Sequence, residues 1–405
     1  MGSAKALEGI RVADLSHVLA APTTSMILAD LGAEVIHIEP PAGDDARQFG
    51  PFINGESAYF ISINRNKKSL VLDLKQEEGR EVLRDIIRVS DVVLENFKST
   101  TMKKLGFSYE ECRAINDKII YASISGFGHG APPEYAEKPA YDMIAQAYSG
   151  LMSICGPEGG PPVRVGTSIG DIVSGHQCAI SILAALRHRE ITGEGQRIDQ
   201  SMVDGLLYVL ENALVRYTVE GSVPAPLGTM HPSITPFQAF GTEDGWIVIA
   251  VGNDSIWKRF CTLLDSPELA ADERFATNGK RTENRTDLIP VLEQKLRGKT
   301  TDAWLDLLTA ESIPCSPINS IDRIVEDPVV EHRKMVATVE QPGVGKMRIA
   351  GSPFNMSVSP GEVRSPAPRL GEHSVDVLCN LLQYGEDSIK NLREMKVIYD
   401  HSDFE

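Results

Sequence analysis

Short apolar runs alternate with amphipathic stretches through the first half of the chain. Residues 9–14 (GIRVAD), 34–39 (EVIHIE), 68–74 (KSLVLDL), 91–94 (DVVL) and 118–125 (KIIYASIS) are brief, apolar and β-branched, which predicts buried strands. Between them lie helical patterns. PTTSMILADLGA opens at Pro22 and closes at Gly32, EEGREVLRDIIRV spans 77–89, and YEECRAIN follows. Strands and helices alternating at this spacing predict an α/β fold, a Rossmann-like parallel sheet covered on both faces.

The second half changes character. Residues 126–170 are rich in Gly and Pro, with one apolar helical stretch near 141–154. Residues 172–190 (IVSGHQCAISILAALRHRE) predict a strongly apolar helix stopped by TGEG. RIDQS reads as a short strand and 201–219 as another long helix. Turn residues fill 222–235, as in a crossover between domains. FQAFGTEDGWIVIAVG predicts a hairpin turning at Asp244-Gly245. Charged amphipathic helices run on to about 328. Strand-like pieces follow from 334, then a Pro-rich stretch and a last helix at 373–383. There is no internal repeat.

Composition narrows the function classes. With 42% hydrophobic and 24% charged residues, the chain can bury a core and does not read as disordered. Its formal charge of −16 opposes nucleic-acid binding but allows a local basic pocket for one small anion. The six cysteines form no CxxC pair and the nine histidines no HExxH, so no metal site is expected. The cysteine usage fits a reducing compartment. The start has neither an apolar signal core nor an Arg-rich transit segment, and no apolar run reaches the roughly 18–20 residues of a membrane span. The expectation is a protein of the cytoplasm or an organelle matrix (mitochondrial or peroxisomal in a eukaryote), not secreted and not in a membrane.

Several familiar motifs fail on context. RGKT at 297–300 contains a GK[ST], but a phosphate-binding loop also needs Gly where Glu293 stands. GFGHG at 126–130 is followed by Ala-Pro-Pro, which leaves no helix start to receive a pyrophosphate. GTSIG at 166–170 fits GxSxG, after VRV and before a helix, so Ser168 is a candidate serine nucleophile.

Asp171 offers a different nucleophile at the same place. It directly follows Gly170 and precedes the apolar helix. An acid there is ordinarily an N-cap. Yet a helix N-terminus favours the ionised carboxylate, flanking glycine lets a ligand approach, and such a group can attack an activated acyl carbon. Both readings stand on the residues alone. Cations cluster in NRNKKSLVLDLK and ENFKSTTMKKLG, near strand ends where parallel sheets bind ligands. In an acidic chain they point to a phosphate-bearing ligand, against the commoner use of Lys on a solvated face.

From its start to about residue 380 the chain resembles the class III CoA-transferases, the formyl-CoA transferase and carnitine CoA-transferase family. The resemblance rests on SHVLAAP, ADLGAEVIHIE, NRNKKSLVLDLK, DVVLENFK, SISGFG, PAYDMIAQAYSGLM and GDIVSG…LAALRHREITGEGQ. It implies that Asp171 attacks a donor thioester, with acyl-aspartyl anhydride and aspartyl-CoA intermediates. It implies CoA contacts at His17, Val18, Ala20, Leu72, Lys75, Asn96, Phe97, Lys98 and Lys104, with Tyr141 near the catalytic carboxylate. It implies coenzyme A as substrate and product, with no tightly bound cofactor. It also implies a large domain from 1–227 and 329–405, a smaller α+β domain at 228–328, and an interlocked homodimer.

Departures from the pattern refine the expectation. Leu19 stands where formyl-CoA transferase has Gln, Pro40 where it has Arg, and its tetraglycine loop has no counterpart, which speaks against formyl and oxalate chemistry. HPSITPFQAF and GPEGGPPVRVG are more similar to the branch using succinyl-CoA and glutarate or related dicarboxylates such as itaconate. Arg164 and His231 are candidates for a distal carboxylate, on charge alone. The family's racemases use a His where this chain has Tyr141, which favours transfer over racemisation. A serine hydrolase or thioesterase using Ser168 and a non-catalytic CoA-binding protein remain the rival classes.

Overall fold

The computed structural model describes residues 4–404. The chain forms two compact units. One comprises Met1–Leu151, Arg164–Glu220 and Pro328–Glu405, and the other Met152–Val163 and Gly221–Asp327. The expected boundary at 228 thus moves to 221, and residues 152–163 go with the smaller unit instead of the larger. Backbone pairing explains this: Cys155 O accepts from Val163 N at 3.4 Å, and Gly156 O accepts from Gly228 N at 2.9 Å.

The larger unit is built on one sheet. Strands β1 (Arg11–Asp14), β2 (Glu34–Glu39), β3 (Lys67–Leu72), β4 (Val92–Glu95), β5 (Ile120–Ser125) and β6 (Arg197–Ser201) are parallel, in the order β3-β2-β1-β4-β5-β6. Val12 sits opposite Val35 on one side and Val92 on the other. Ala13, Ile36, Leu70 and Val93 are fully buried, as a sheet covered on both faces requires. A seventh strand, β7 (Ile398–Tyr399), joins the β3 edge antiparallel. It was not expected, and neither was the helix Glu386–Glu394 that leads to it. The expected helix 373–383 is present over Ser374–Leu381, and its part Val377–Leu381 is wound as a π-helix.

Four helices position the site. They are α1 (Ala20–Asp30), α2 (Asp142–Tyr148), α3 (Ile169–Thr192) and α4 (Met202–Val209). The predicted stretch 141–154 breaks at Gly150, whose φ of +91° a helix cannot hold. The predicted helix 201–219 is likewise two, Met202–Val209 and Glu211–Glu220. By length and composition α3 could span a membrane, contrary to the expectation from apolar run length. Here its apolar character serves packing: a Cβ on Gly175 would stand 2.6 Å from Ala20 O and 2.9 Å from Thr23 Cβ. Only glycine permits that approach of α3 to α1, and Thr24 Oγ1 seals it by donating to Gly175 O at 2.9 Å.

The smaller unit is α+β. Its hairpin, Phe237–Gly241 with Trp246–Ala250, is extended by an unpredicted third strand, Cys315–Pro317. Trp257, Phe260, Leu288, Leu292 and Trp304 form its core. Arg281 is fully buried there and donates to Thr235 O, Phe275 O and Asp254.

Candidate active site

The start of α3 has unpaired backbone N–H groups, as every helix start does. Two adjacent acids are available to satisfy them, and they divide the work. Asp142, at the start of α2, accepts the Gly170 N–H on Oδ1 at 2.8 Å and the Gln146 Nε2 on Oδ2 at 2.7 Å. A Cβ on Gly170 would lie 3.1 Å from that same Oδ1, so glycine keeps the approach open. Gln146 also accepts the Val165 N–H at 2.9 Å, which fixes the strand of chain entering the helix. Asp171 is left with a carboxylate that no group among the described residues hydrogen-bonds. Burial first, and the charge of Asp142 second, push its carboxyl from the ordinary 3.8 up to about 7.

Asp171 lines a cavity of about 380 Å³ together with the His17–Val18 turn after β1. That turn is held from two sides. His17 N donates to Asn96 Oδ1 at 2.9 Å and Asn96 Nδ2 returns a bond to His17 O at 2.8 Å. Val18 N donates to Asp44 Oδ1 at 3.1 Å. Val18 has a φ of +66°, a left-handed conformation that a β-branched residue adopts only under constraint.

A second cavity, about 600 Å³, is also lined by His17. Its lining includes Leu72 and Lys75 at the end of β3, and the two cavities share His17 and Phe97. The His17 and Phe97 rings lie 5.2 Å apart. Burial holds the His17 imidazole below its ordinary value, and its Nδ1 is buried without a hydrogen-bond partner among the described residues. The two cavities thus share the paired His17 and Phe97 rings, and the smaller one is lined by the Asp171 carboxylate.

Most of the expected residues converge here. Val18, Ala20, Asn96, Lys98, Tyr141 and Asp171 line the narrow cavity with His17 and Phe97. Lys104 does not join them: it stands in the last turn of helix Thr101–Leu105 and lines neither cavity, whereas its neighbour Leu105 does. Arg164 sits beside the site, half-exposed, with Nη1 4.0 Å from Asp142 Oδ2. His231 belongs to the smaller unit. Its ring stacks on Phe237 at 5.3 Å and its Nδ1 accepts from Ser233 N. Sequence reasoning overlooked Asp142, Gln146 and Asp44. Asp142 was visible as an acid opening a helix, but nothing local shows that its carboxylate reaches another helix.

The serine reading finds no support in this geometry. VRV at 163–165 is not a strand, so Ser168 is on no strand-to-helix elbow. Among the described residues no imidazole hydrogen-bonds Ser168, and His373 instead accepts the Ser69 N–H at 3.3 Å.

Comparison with known proteins agrees with the resemblance. The profile of CoA-transferase family III matches residues 7–374. The chain is 37% identical over 403 residues to the human succinyl-CoA:glutarate CoA-transferase, covering 99% of this chain and 92% of that one. It is 40% identical to the succinate–glutarate CoA-transferase of Agrobacterium fabrum (93% and 95% covered) and 42% identical to the acetyl-CoA:oxalate CoA-transferase of Acetobacter aceti (90% and 93% covered). A CaiB/BaiF family protein from Brucella suis has the same fold, with a TM-score of 0.83, 38% identity, and 93% of this chain and 99% of that one covered.

Proposed function

We propose a reaction on two grounds: the chain belongs to CoA-transferase family III, and its Asp171 carboxylate is spared from helix capping by Asp142. The protein moves CoA from an acyl-CoA donor, succinyl-CoA, to a small dicarboxylic acid such as glutarate or itaconate. The names of the relatives support this donor and acceptor class. The Asp171 carboxylate attacks the thioester carbonyl, forming an acyl-aspartyl anhydride and releasing CoA thiolate. The thiolate attacks the aspartyl carbonyl, which frees the donor acid and leaves an aspartyl-CoA thioester. The acceptor carboxylate then attacks that thioester, and the thiolate, released again, takes the new acyl group and restores Asp171. No water and no net proton enter, and each step exchanges one acyl bond for another.

The surroundings suit such a nucleophile. A carboxylate with a raised pKa is more basic and less solvated when it ionises, and is the stronger attacker for it. Coenzyme A matches the run of cavities. Its nucleotide lies in the wide one near Lys75, its pantetheine passes the His17–Phe97 pair, and its sulfur arrives at Asp171. Arg164 is the candidate for the distal carboxylate of the acid. An interlocked homodimer is supported by the exposed apolar side chains Ile180, Tyr208, Tyr217 and Val219 on the helices of the larger unit. The unpaired thiols of all six cysteines suit the cytoplasm or an organelle matrix.

The test is CoA exchange from succinyl-CoA to a panel of labelled acids: glutarate, itaconate, mesaconate and oxalate. Oxalate is included because the Acetobacter relative is named for it. Asp171→Ala abolishes exchange and Ser168→Ala does not. If only the serine change stops turnover, the assignment is wrong.

A further inference from the structure

The left-handed turn at Val18 is held by a buried cluster that the reaction itself does not use. His37 of β2 is fully buried between two carboxylates. Its Nδ1 lies 3.2 Å from Asp14 Oδ2 and its Nε2 3.5 Å from Asp44 Oδ2. Neither of those last two atoms has a hydrogen-bond partner among the described residues, so the 3.5 Å ion pair is what each has to meet its charge. Each carboxylate turns its remaining oxygen to the chain that forms the cavity wall. Asp14 Oδ1 accepts the Ser16 N–H at 3.1 Å, and Asp44 Oδ1 accepts the Val18 N–H at 3.1 Å.

The rest of the cluster fixes the charge count. Lys67 Nζ lies 3.4 Å from Asp14 Oδ2 and 3.2 Å from Pro22 O in α1. Glu39 accepts the Asp44 N–H at 3.0 Å and two bonds from Arg47. Asp14, Glu39 and Asp44 therefore face His37, Lys67 and Arg47. Three negative charges meet three positive ones only while His37 carries its proton. Unprotonated, it leaves an excess negative charge in a buried site, which is strongly unfavourable.

We propose that His37 is a positioning residue for the transfer reaction: as a cation clamped between Asp14 and Asp44, it locks the His17–Val18 turn in place against the thioester cavity. This rests on the assignment of that cavity to acyl-CoA. The two neighbouring carboxylates carry the clamp, although burial opposes it. They raise the imidazole from its ordinary 6.5 to about 9. Asp14, Asp44, Glu39 and Lys67 are the charged groups of the cluster, and His17, whose imidazole burial holds below its ordinary value, is a further titratable group that feels its charge. Loss of the His37 proton frees Asp44 from its partner and loosens its hold on the Val18 N–H.

The experiment follows kcat/KM for succinyl-CoA from pH 6 to 10 in the wild type, His37→Lys, Asp44→Asn and Asp44→Ala, with thermal melts confirming that each is folded. The wild type shows an alkaline fall centred near 9, and His37→Lys, which keeps its charge, lacks it. Asp44→Ala lowers kcat/KM by roughly 10- to 100-fold, the range expected for a misplaced positioning element. Asp44→Asn, whose side-chain oxygen can still accept the Val18 N–H, recovers most of that loss. An unchanged alkaline limb in His37→Lys, or an Asp44→Ala enzyme within twofold of wild type, overturns the proposal. If Asp44→Ala does not fold, the two pH profiles decide alone. Asp171→Ala in the same assay separates the two claims: if it still turns over, the assignment of the cavity fails, and the clamp with it.

Discussion

Asp142 Oδ1 accepts the Gly170 N–H at 2.8 Å, and this one bond frees the next residue, Asp171, from capping its own helix. An acid at a helix start usually spends its charge on backbone N–H groups. Here a carboxylate from a different helix does so, and its negative charge also raises the pKa of the group it relieves.

A pH profile follows from that pair. The nucleophile must be ionised, so kcat/KM rises with pH through about 7, the value to which Asp171 is pushed. Asp142→Asn keeps an oxygen for the Gly170 N–H and removes the charge. The acid limb then moves to lower pH, only part of the way toward 3.8, because burial is the larger cause. A limb that stays in place shows that Asp142 does not tune Asp171.

The same shift predicts a stability change. Asp171 is raised from 3.8 to about 7 in the folded state. Its favourable contribution is therefore complete below about 3.8 and is lost as pH rises through 7. At pH 8 the folded protein carries a poorly solvated charge. Asp171→Asn should abolish turnover while stabilising the fold at pH 8 by up to about 4 kcal/mol, read by urea denaturation. The gain should shrink toward zero near pH 4.

Packing of α3 on α1 makes a third prediction. Gly175→Ala places a methyl 2.6 Å from Ala20 O, against backbone that cannot rotate away. It should cost about 1–3 kcal/mol of stability. Because Ala20 begins α1 directly after the His17–Val18 turn, kcat/KM should fall as well. A variant that melts like the wild type contradicts this close packing.

Lys75 tests the other end of the site. It is exposed at the mouth of the wide cavity. Lys75→Ala should raise KM for acyl-CoA roughly three- to tenfold with little change in kcat, and the effect should weaken with added salt. Lys104→Ala, which lies outside both cavities, should change KM far less.

The β-branched runs of β1 to β5 announced the parallel sheet because a strand buried on both faces must be apolar throughout. The edge strand Ile398–Tyr399 was not legible: two residues carry no period, and their place depends on pairing with Leu72 and Val71 some 300 positions away. Asp171 was visible as a candidate but stayed balanced between cap and nucleophile. The residue that decides between them, Asp142, is 28 positions upstream of Gly170 and acts through a tertiary hydrogen bond to it. The strained Val18 was equally silent, since nothing in SHVLAAP marks a valine held at positive φ by a distant aspartate. Local rules locate elements, whereas the division of labour between neighbouring carboxylates appears only when the elements meet.

The central claim is that the Asp171 side chain becomes acylated. Enzyme mixed with succinyl-CoA, quenched within a turnover in hydroxylamine and digested, should yield the peptide containing Asp171 with that residue converted to its hydroxamate. The Asp171→Asn protein should give none. An unmodified Asp171 in wild-type enzyme that is transferring CoA, or a hydroxamate on any other carboxylate, would contradict the account.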